Sequence, residues 1–173
     1  IAAVDAAGAD LAIAGLALAE LQGIAGRGAR VTLPVPGGDA LLIDESYNAN
    51  PASMRATLAM LGAEPAKRRI AVLGAMRELG EHGPRFHAEL AEPIEQAAVD
   101  FALLVGEEMA PLAKELEGKI AFAHVPGAAD ALDALKGKIG AGDAVLIKAS
   151  NSVGLGRLVA QLSAGALAEA EAG

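Results

Sequence analysis

Short apolar runs alternate with helical patterns from residue 40 onward, and this alternation is the feature that most limits the fold. Each run is continuously apolar, which is typical of strands buried on both faces. Such strands, alternating with amphipathic helices, form a parallel sheet covered on both sides, so the sequence predicts an α/β fold. The predicted helices follow Asn50 and cover roughly 83–96, where Pro93 should kink or divide the helix, 107–116, 128–138 and 155–162. The predicted strands are Ala40–Ile43, Arg69–Leu73, Phe101–Val105, Ile120–His124 and Ala144–Ile147.

A polar turn joins the first of these strands to the helix that follows it. Asn50 followed by Pro51 predicts the start of that helix, because Asn accepts hydrogen bonds from free amides and Pro lacks an N–H. Asp44, Tyr47 and Asn48 have no such local role, and they stand at the carboxyl end of a strand, where open α/β sheets bind ligands. Pattern alone leaves two interpretations open, a polar ligand site and an ordinary hydrogen-bonded loop.

Two further polar loops, 74–83 and 148–154, also follow strands, and right-handed crossovers place all three loops at one edge of the sheet. Lys148 ends a buried strand and is followed by two serines, which favours a site for an anion or a carboxylate-bearing substrate. The alternative is a lysine whose stem lies along the strand while its ammonium reaches water. The polar runs are Met76-Arg77-Glu78 in the second loop and Lys148-Ala149-Ser150-Asn151-Ser152 in the third.

The first part of the chain reads differently from the rest. An amphipathic helix is predicted over about residues 10–22, followed by a glycine-rich turn with Arg27 and Arg30 and a short strand over 31–35. Prolines and glycines punctuate this strand, so we expect a domain boundary close to it. The two arginines are either solvated loop charges or, near a hinge, contacts to a phosphate.

Composition excludes several classes of function. The formal net charge of −8 and the pI near 4.8 disfavour a nucleic-acid-binding surface, which needs clustered Lys and Arg. The chain has no cysteine, and His82, His87 and His124 lack metal-ligand spacing, so no metal site is predicted. No apolar run reaches the ~20 residues that a bilayer requires, and no signal peptide is recognisable. We therefore expect a cytoplasmic protein without a membrane segment.

Several catalytic motifs are absent. The sequence contains no G-x-x-x-x-G-K-[ST] phosphate-binding loop and no G-x-G-x-x-G after a strand. It also lacks a G-x-S-x-G nucleophile elbow and a cysteine nucleophile. From the residues alone, the chain offers a ligand-binding face but no chemistry of its own.

Four motifs carry a resemblance to a known family. They are Asp44–Pro51 with Ser53 and Met54, Val72–Gly80 followed by His87 and Glu89, Val105–Gly106, and Gly142–Asp143 leading to Leu146–Ser152. In their order and spacing along nearly the whole chain, they resemble the Mur ligase family. The resemblance implies a Rossmann-like, mostly parallel sheet with helices on both faces. It further implies that residues 1–34 end the family's central ATPase domain and that residues 35–173 form its C-terminal domain.

The resemblance also implies a function, because the first motif is that of the ligase that adds D-alanyl-D-alanine to UDP-N-acetylmuramoyl-tripeptide. Such an enzyme uses ATP and Mg²⁺, and the resemblance implies that the phosphate-binding loop and the Mg²⁺ ligands belong to the missing central domain. The N-terminal domain would be missing as well. No nucleic-acid or membrane partner is implied. By analogy, the nucleotide would meet Arg27, Asp44, Tyr47 and Asn48, and the incoming dipeptide would meet Met76, Glu78, Lys148, Ser150 and Ser152.

Two residues depart from the family pattern, and two other functions stay open. Ala75 stands where the family usually has Asp, which removes a polar partner from the cleft. Ala149 stands where it usually has Gly, which adds a methyl group where the backbone would pass close to a ligand. The alternatives are another Mur-like or folylpolyglutamate-type ligase, and a module that binds a nucleotide or peptide without catalysis.

Overall fold

The computed structural model describes residues 26–165 together with Gly8 and Asp10, and it contains one six-stranded sheet flanked by helices. The predicted helix over 10–22 lies outside these residues, apart from Asp10. The strands are β1 (Ala29–Val35), β2 (Gly38–Glu45), β3 (Arg69–Gly74), β4 (Phe101–Val105), β5 (Ala121–Val125) and β6 (Ala144–Lys148). The helices are α1 (Pro51–Ala63), α2 (Gly83–Ala88), α3 (Ala91–Gln96), α4 (Ala110–Leu116), α5 (Ala128–Leu135) and α6 (Leu155–Ser163).

The sheet has the order β1-β2-β6-β3-β4-β5. β1 is antiparallel to β2, and all other neighbours are parallel. The predicted mostly parallel α/β sheet is therefore confirmed. Each residue of β1 pairs with β2, so the domain boundary predicted after Pro34 falls within a strand of this sheet.

Apolar side chains on the two faces of the sheet form two separate cores. Successive residues of β6 alternate between two cores, with Leu146 in one and Val145 and Ile147 in the other. Helices α1, α3 and α4 supply the first core, and α5 and α6 supply the second. The predicted helical layers on both faces are confirmed.

The sequence predicts the helix boundaries well where local chemistry sets them. Asn50 caps α1 as expected: its Oδ1 accepts the N–H of Ser53 at 2.8 Å, and Ser53 Oγ accepts the N–H of Asn50 at 3.1 Å. The predicted helix over 83–96 is divided, but at residues 89–90, and Pro93 lies inside the first turn of α3, where no N–H is needed. Helix α5 ends at Leu135, before the predicted 138, and the chain then turns through Gly137 at φ +66°.

The strand order creates a crevice at one edge of the sheet. β6 is the last strand in the sequence, but it lies between β2 and β3. The helices that follow β2 and β3 pack on one face, and the helix that follows β6 packs on the other. Neighbouring strands whose connections leave toward opposite faces leave an opening at their carboxyl ends, which is where α/β sheets bind ligands.

No helix in the described part of the chain combines the length and the apolar character needed to cross a bilayer.

Candidate functional site

The loops after β2, β3 and β6 line a cleft of about 590 Å³ at this crevice. The sequence predicted that the three loops share one edge of the sheet, and the structure brings them into one site. Of the predicted site residues, Tyr47, Asn48, Glu78, Ser150 and Ser152 line the cleft. The lining also includes Ala49, Asn50, Arg77, Leu79 and Asn151.

Ser150 joins the three loops to one another. Its Oγ accepts the backbone N–H of Arg77 at 2.9 Å and lies 3.5 Å from the carbonyl oxygen of Ala49. Its own N–H donates to the carbonyl of Ala75 at 3.1 Å. Ser150 is only 6% exposed. Its buried hydroxyl group therefore connects the loops, and the residue also forms part of the cleft lining.

Lys148 lies behind the cleft rather than in it. The residue is 2% exposed, and its Nζ donates to the carbonyl oxygen of Asn48 at 2.8 Å and lies 3.5 Å from Glu45 Oε2. Burial lowers the pKa of this ammonium group, and the nearby Glu45 carboxylate partly opposes that shift. The interpretation of Lys148 as a strand-end lysine that reaches water is wrong, because the loop after β2 covers its ammonium. Its contacts are to the protein, and it ties that loop to the end of β6.

Asp44 has a similar connecting role at the end of β2. Its carboxylate accepts the N–H of Gly26 at 2.7 Å and that of Ser46 at 3.0 Å, and the residue is 5% exposed. It therefore fixes the segment that enters β1 against the turn that leaves β2. Of the two interpretations from pattern, a hydrogen-bonded loop describes the contacts of this carboxylate, and the nucleotide contact stays a prediction.

Arg27 and Tyr47 form a stacked pair beside the cleft. The guanidinium carbon of Arg27 lies 4.3 Å from the centroid of the Tyr47 ring, and Tyr47 is 48% exposed. Gly26 permits this approach, since its φ is +76° and an added Cβ would lie 2.8 Å from Tyr47 Cβ. Arg30 is engaged elsewhere, because it forms a two-point ion pair with Glu64 at 2.8 and 2.7 Å.

The two predicted site residues of the loop after β3 lie in different places, one in the core and one in the cleft. The side chain of Met76 is buried in the core on the α1 face, so it does not line the cleft. Glu78 is exposed to the cleft, and its φ of +64° is uncommon for a residue with a side chain. Strained backbone of this kind is found preferentially at functional sites.

The two departures from the family pattern both lie in the core. Ala75 and Ala149 are fully buried. A Cβ added to Gly74 would lie 2.7 Å from the methyl group of Ala149, so that methyl group packs between β3 and β6. The methyl group belongs to the core on the α5 and α6 face, and a close approach of this backbone to a ligand stays a prediction.

Sequence reasoning missed two contributors to the site, His87 and Glu108. His87 is buried, its Nε2 accepts the N–H of Met76 at 2.9 Å, and its Nδ1 lies 2.8 Å from the carbonyl oxygen of Gly83. It therefore fixes the start of the loop after β3. Glu108 forms an ion pair with Arg77. No local signal links these partners, which are 11 and 31 positions apart in the chain.

His87 predicts a pH dependence of stability. Burial lowers its pKa below the usual 6.5, and the nearby Arg77 acts in the same direction, while the Gly83 carbonyl and Glu108 oppose the shift. Because the unfolded chain then binds the proton more readily, the free energy of unfolding should fall as the pH drops from 6.5 toward the lowered pKa. Urea unfolding across this range measures the slope. His87→Gln should flatten the dependence of the free energy of unfolding on pH, and His82→Gln, which changes an exposed histidine, should leave it unchanged. Equal slopes in the wild type and both variants would contradict the assignment of this pH dependence to His87.

Among the described residues, no group of three or more His, Asp or Glu side chains is arranged to hold a metal ion.

Known proteins resemble this chain in both sequence and structure. The UDP-N-acetylmuramoyl-tripeptide–D-alanyl-D-alanine ligase of Synechocystis sp. is 41% identical over 133 residues, which is 74% of this chain and 28% of the relative. The Mycobacterium leprae ligase of the same name is 37% identical over 136 residues, covering 68% of this chain and 26% of the relative. The chain thus spans less than a third of the length of these two relatives.

Solved structures give the same result. The crystal structure of the MurF ligase from Thermotoga maritima in complex with ADP superposes with a TM-score of 0.75 at 26% identity, over 95% of this chain and 36% of that one. A MurF structure from Acinetobacter baumannii gives a TM-score of 0.73 at 27% identity, over 92% of this chain and 35% of that one.

A family model described as "Mur ligase, glutamate ligase domain" matches residues 29–151. The match covers well over half of the chain and reaches into all three loops of the cleft, and the chain therefore belongs to the Mur ligase family.

Proposed function

We propose that this chain is the C-terminal part of an ATP-dependent ligase that adds D-alanyl-D-alanine to UDP-N-acetylmuramoyl-tripeptide in the cytoplasm, as a step in peptidoglycan precursor synthesis. The observation that carries the proposal is the cleft at the switch point, formed by three polar loops in a chain that is 41% and 37% identical to relatives named for this reaction. In the reaction, the γ-phosphate of ATP passes to the terminal carboxylate of the tripeptide. The amine of the dipeptide attacks the acyl phosphate and loses a proton, and an amide and inorganic phosphate result.

The residues after β2 support a nucleotide-facing role. Tyr47 presents an exposed ring to which a planar base can stack, and Arg27 beside it carries N–H donors suited to phosphate. Asn48 faces the cleft from the same loop. Asp44 acts on this group by holding the Gly26 backbone in place. The structural relative in complex with ADP is consistent with nucleotide use.

Catalysis would need domains beyond this stretch. Phosphoryl transfer from ATP depends on a phosphate cradle and on Mg²⁺, and we assign both to the preceding central domain. Because β1 is paired along its whole length and the family match begins at residue 29, we place the domain boundary before Ala29 rather than after Pro34. The described residues then contribute the closing face of the active site.

The chain joined to its preceding domains is expected to form an amide only with UDP-N-acetylmuramoyl-tripeptide, D-alanyl-D-alanine, ATP and Mg²⁺ all present. The isolated chain should release no phosphate from ATP. A coupled assay of ADP release measures turnover by the longer protein and by the isolated chain, and the mass of the product identifies the amide. D-glutamate, L-alanine and meso-diaminopimelate are supplied as competing amines. Preference for another amine would assign the chain to a different ligase of the family. Binding without turnover by the longer protein would leave a binding module, and turnover by the isolated chain would overturn the domain assignment.

A further inference from the structure

The cleft has one cationic side chain among the described residues that line it, and that side chain is Arg77. Two further cations lie near the cleft: Lys148 is buried behind it and donates to Asn48, and Arg27 is stacked on the Tyr47 ring beside it. Arg77 is half exposed, with 48% of its side-chain surface accessible. An anionic group that enters this cleft therefore meets the Arg77 guanidinium as its cationic partner.

Contacts from two neighbouring loops hold Arg77 in position. Its backbone N–H is fixed by the buried hydroxyl of Ser150 at 2.9 Å. Its Nη1 is paired with Oε1 of Glu108, in the turn after β4. The next residue is Glu78, with its positive φ. The main chain at residue 77 is thus set by the same network that assembles the cleft.

The guanidinium can bind a second carboxylate. Arginine carries five N–H donors in a planar fork, and the bond to Glu108 is made by Nη1. Planar, two-point binding of a carboxylate is the contact for which arginine is best suited. The Glu108 side chain is 41% exposed, so it can move when a second anion approaches.

We propose that Arg77 binds the free carboxylate of the amine substrate and that Glu108 competes with that carboxylate for the guanidinium. The inference rests on the proposed function, because that function supplies an amine substrate with a carboxylate at its far end. Anchoring this end at Arg77 would leave the amine free to reach the acyl group. The proposal assigns to Arg77 the substrate carboxylate that the sequence-based prediction assigned to Lys148.

The test compares D-alanyl-D-alanine with its C-terminal amide in the full-length ligase. Arg77→Met should raise the KM of the acid on the order of tenfold, while the KM of the amide, or its inhibition constant if it does not react, stays unchanged. Glu108→Gln should lower the KM of the acid, because it removes both a competitor and a repelling charge. Arg55→Met is the matched control: Arg55 pairs with Glu89 at 2.9 Å with similar exposure, 44% and 40%, away from the cleft. It should change neither constant.

The outcomes separate the inference from the proposed function. A wild-type enzyme that does not use D-alanyl-D-alanine overturns the proposed function and the inference with it. If the wild-type enzyme uses the dipeptide but Arg77→Met leaves the ratio of the KM of the acid to that of the amide unchanged, the inference alone is overturned. If Arg77→Met and Glu108→Gln both raise the KM of the acid, the ion pair has a structural role and the inference is likewise overturned. Opposite changes in the two variants support it.

Discussion

Asp44→Ala is expected to lower the free energy of unfolding by about 3 kcal/mol, because it leaves two buried N–H groups without their charged acceptor. These are the N–H groups of Gly26 and Ser46, which the carboxylate accepts at 2.7 and 3.0 Å. Asp44→Asn should cost less, since one amide oxygen can still accept one of them. Urea unfolding of the chain measures both changes.

Asp39→Ala is the matched control for this prediction. Asp39 is exposed near the other end of β2, and its loss should change stability by only about 0.5 kcal/mol or less. If Asp44→Ala unfolds like the wild type and instead raises the KM for ATP of the full-length ligase, the carboxylate acts on the nucleotide, as the family resemblance implies. Such a result would contradict the structural role.

Lys148→Met is expected to lower the ligase kcat/KM for both ATP and the dipeptide on the order of thirtyfold. The ammonium donates to the Asn48 carbonyl at 2.8 Å, so its loss releases the loop that carries Tyr47 and Asn48. The free energy of unfolding should fall by about 1–3 kcal/mol, because the substitution leaves the Asn48 carbonyl and the Glu45 carboxylate without the buried ammonium that they contact. Steady-state kinetics and urea unfolding test the two parts separately.

Lys136→Met supplies the comparison for the lysine. Lys136 is 49% exposed and pairs with Asp133 on α5, so its removal should leave the kinetics unchanged. A rise in the KM of the dipeptide alone after Lys148→Met would return the lysine to the substrate-contacting role predicted from sequence. Unchanged kinetics would show that the loop keeps its position without the ammonium.

The sequence by itself determined the elements of the fold. Strands buried on both faces must be continuously apolar, and so β2, β3, β4 and β6 could be recognised one by one. The start of α1 was equally predictable, because Asn50 and Pro51 set it through contacts within four residues. The sequence also placed three polar loops at one edge, since connections between parallel strands return each strand in the same direction.

Only the tertiary structure decided which of these loops meet and what their charged residues contact. The order of strands depends on packing across the whole chain, and the insertion of β6 between β2 and β3 brings together Ala49, Arg77 and Ser150. Lys148 shows the consequence. From sequence, its ammonium could reach water or a ligand, but the loop 100 positions earlier presents a backbone carbonyl to it. A carbonyl is common to every residue type, so no sequence pattern marks the one that receives a buried charge.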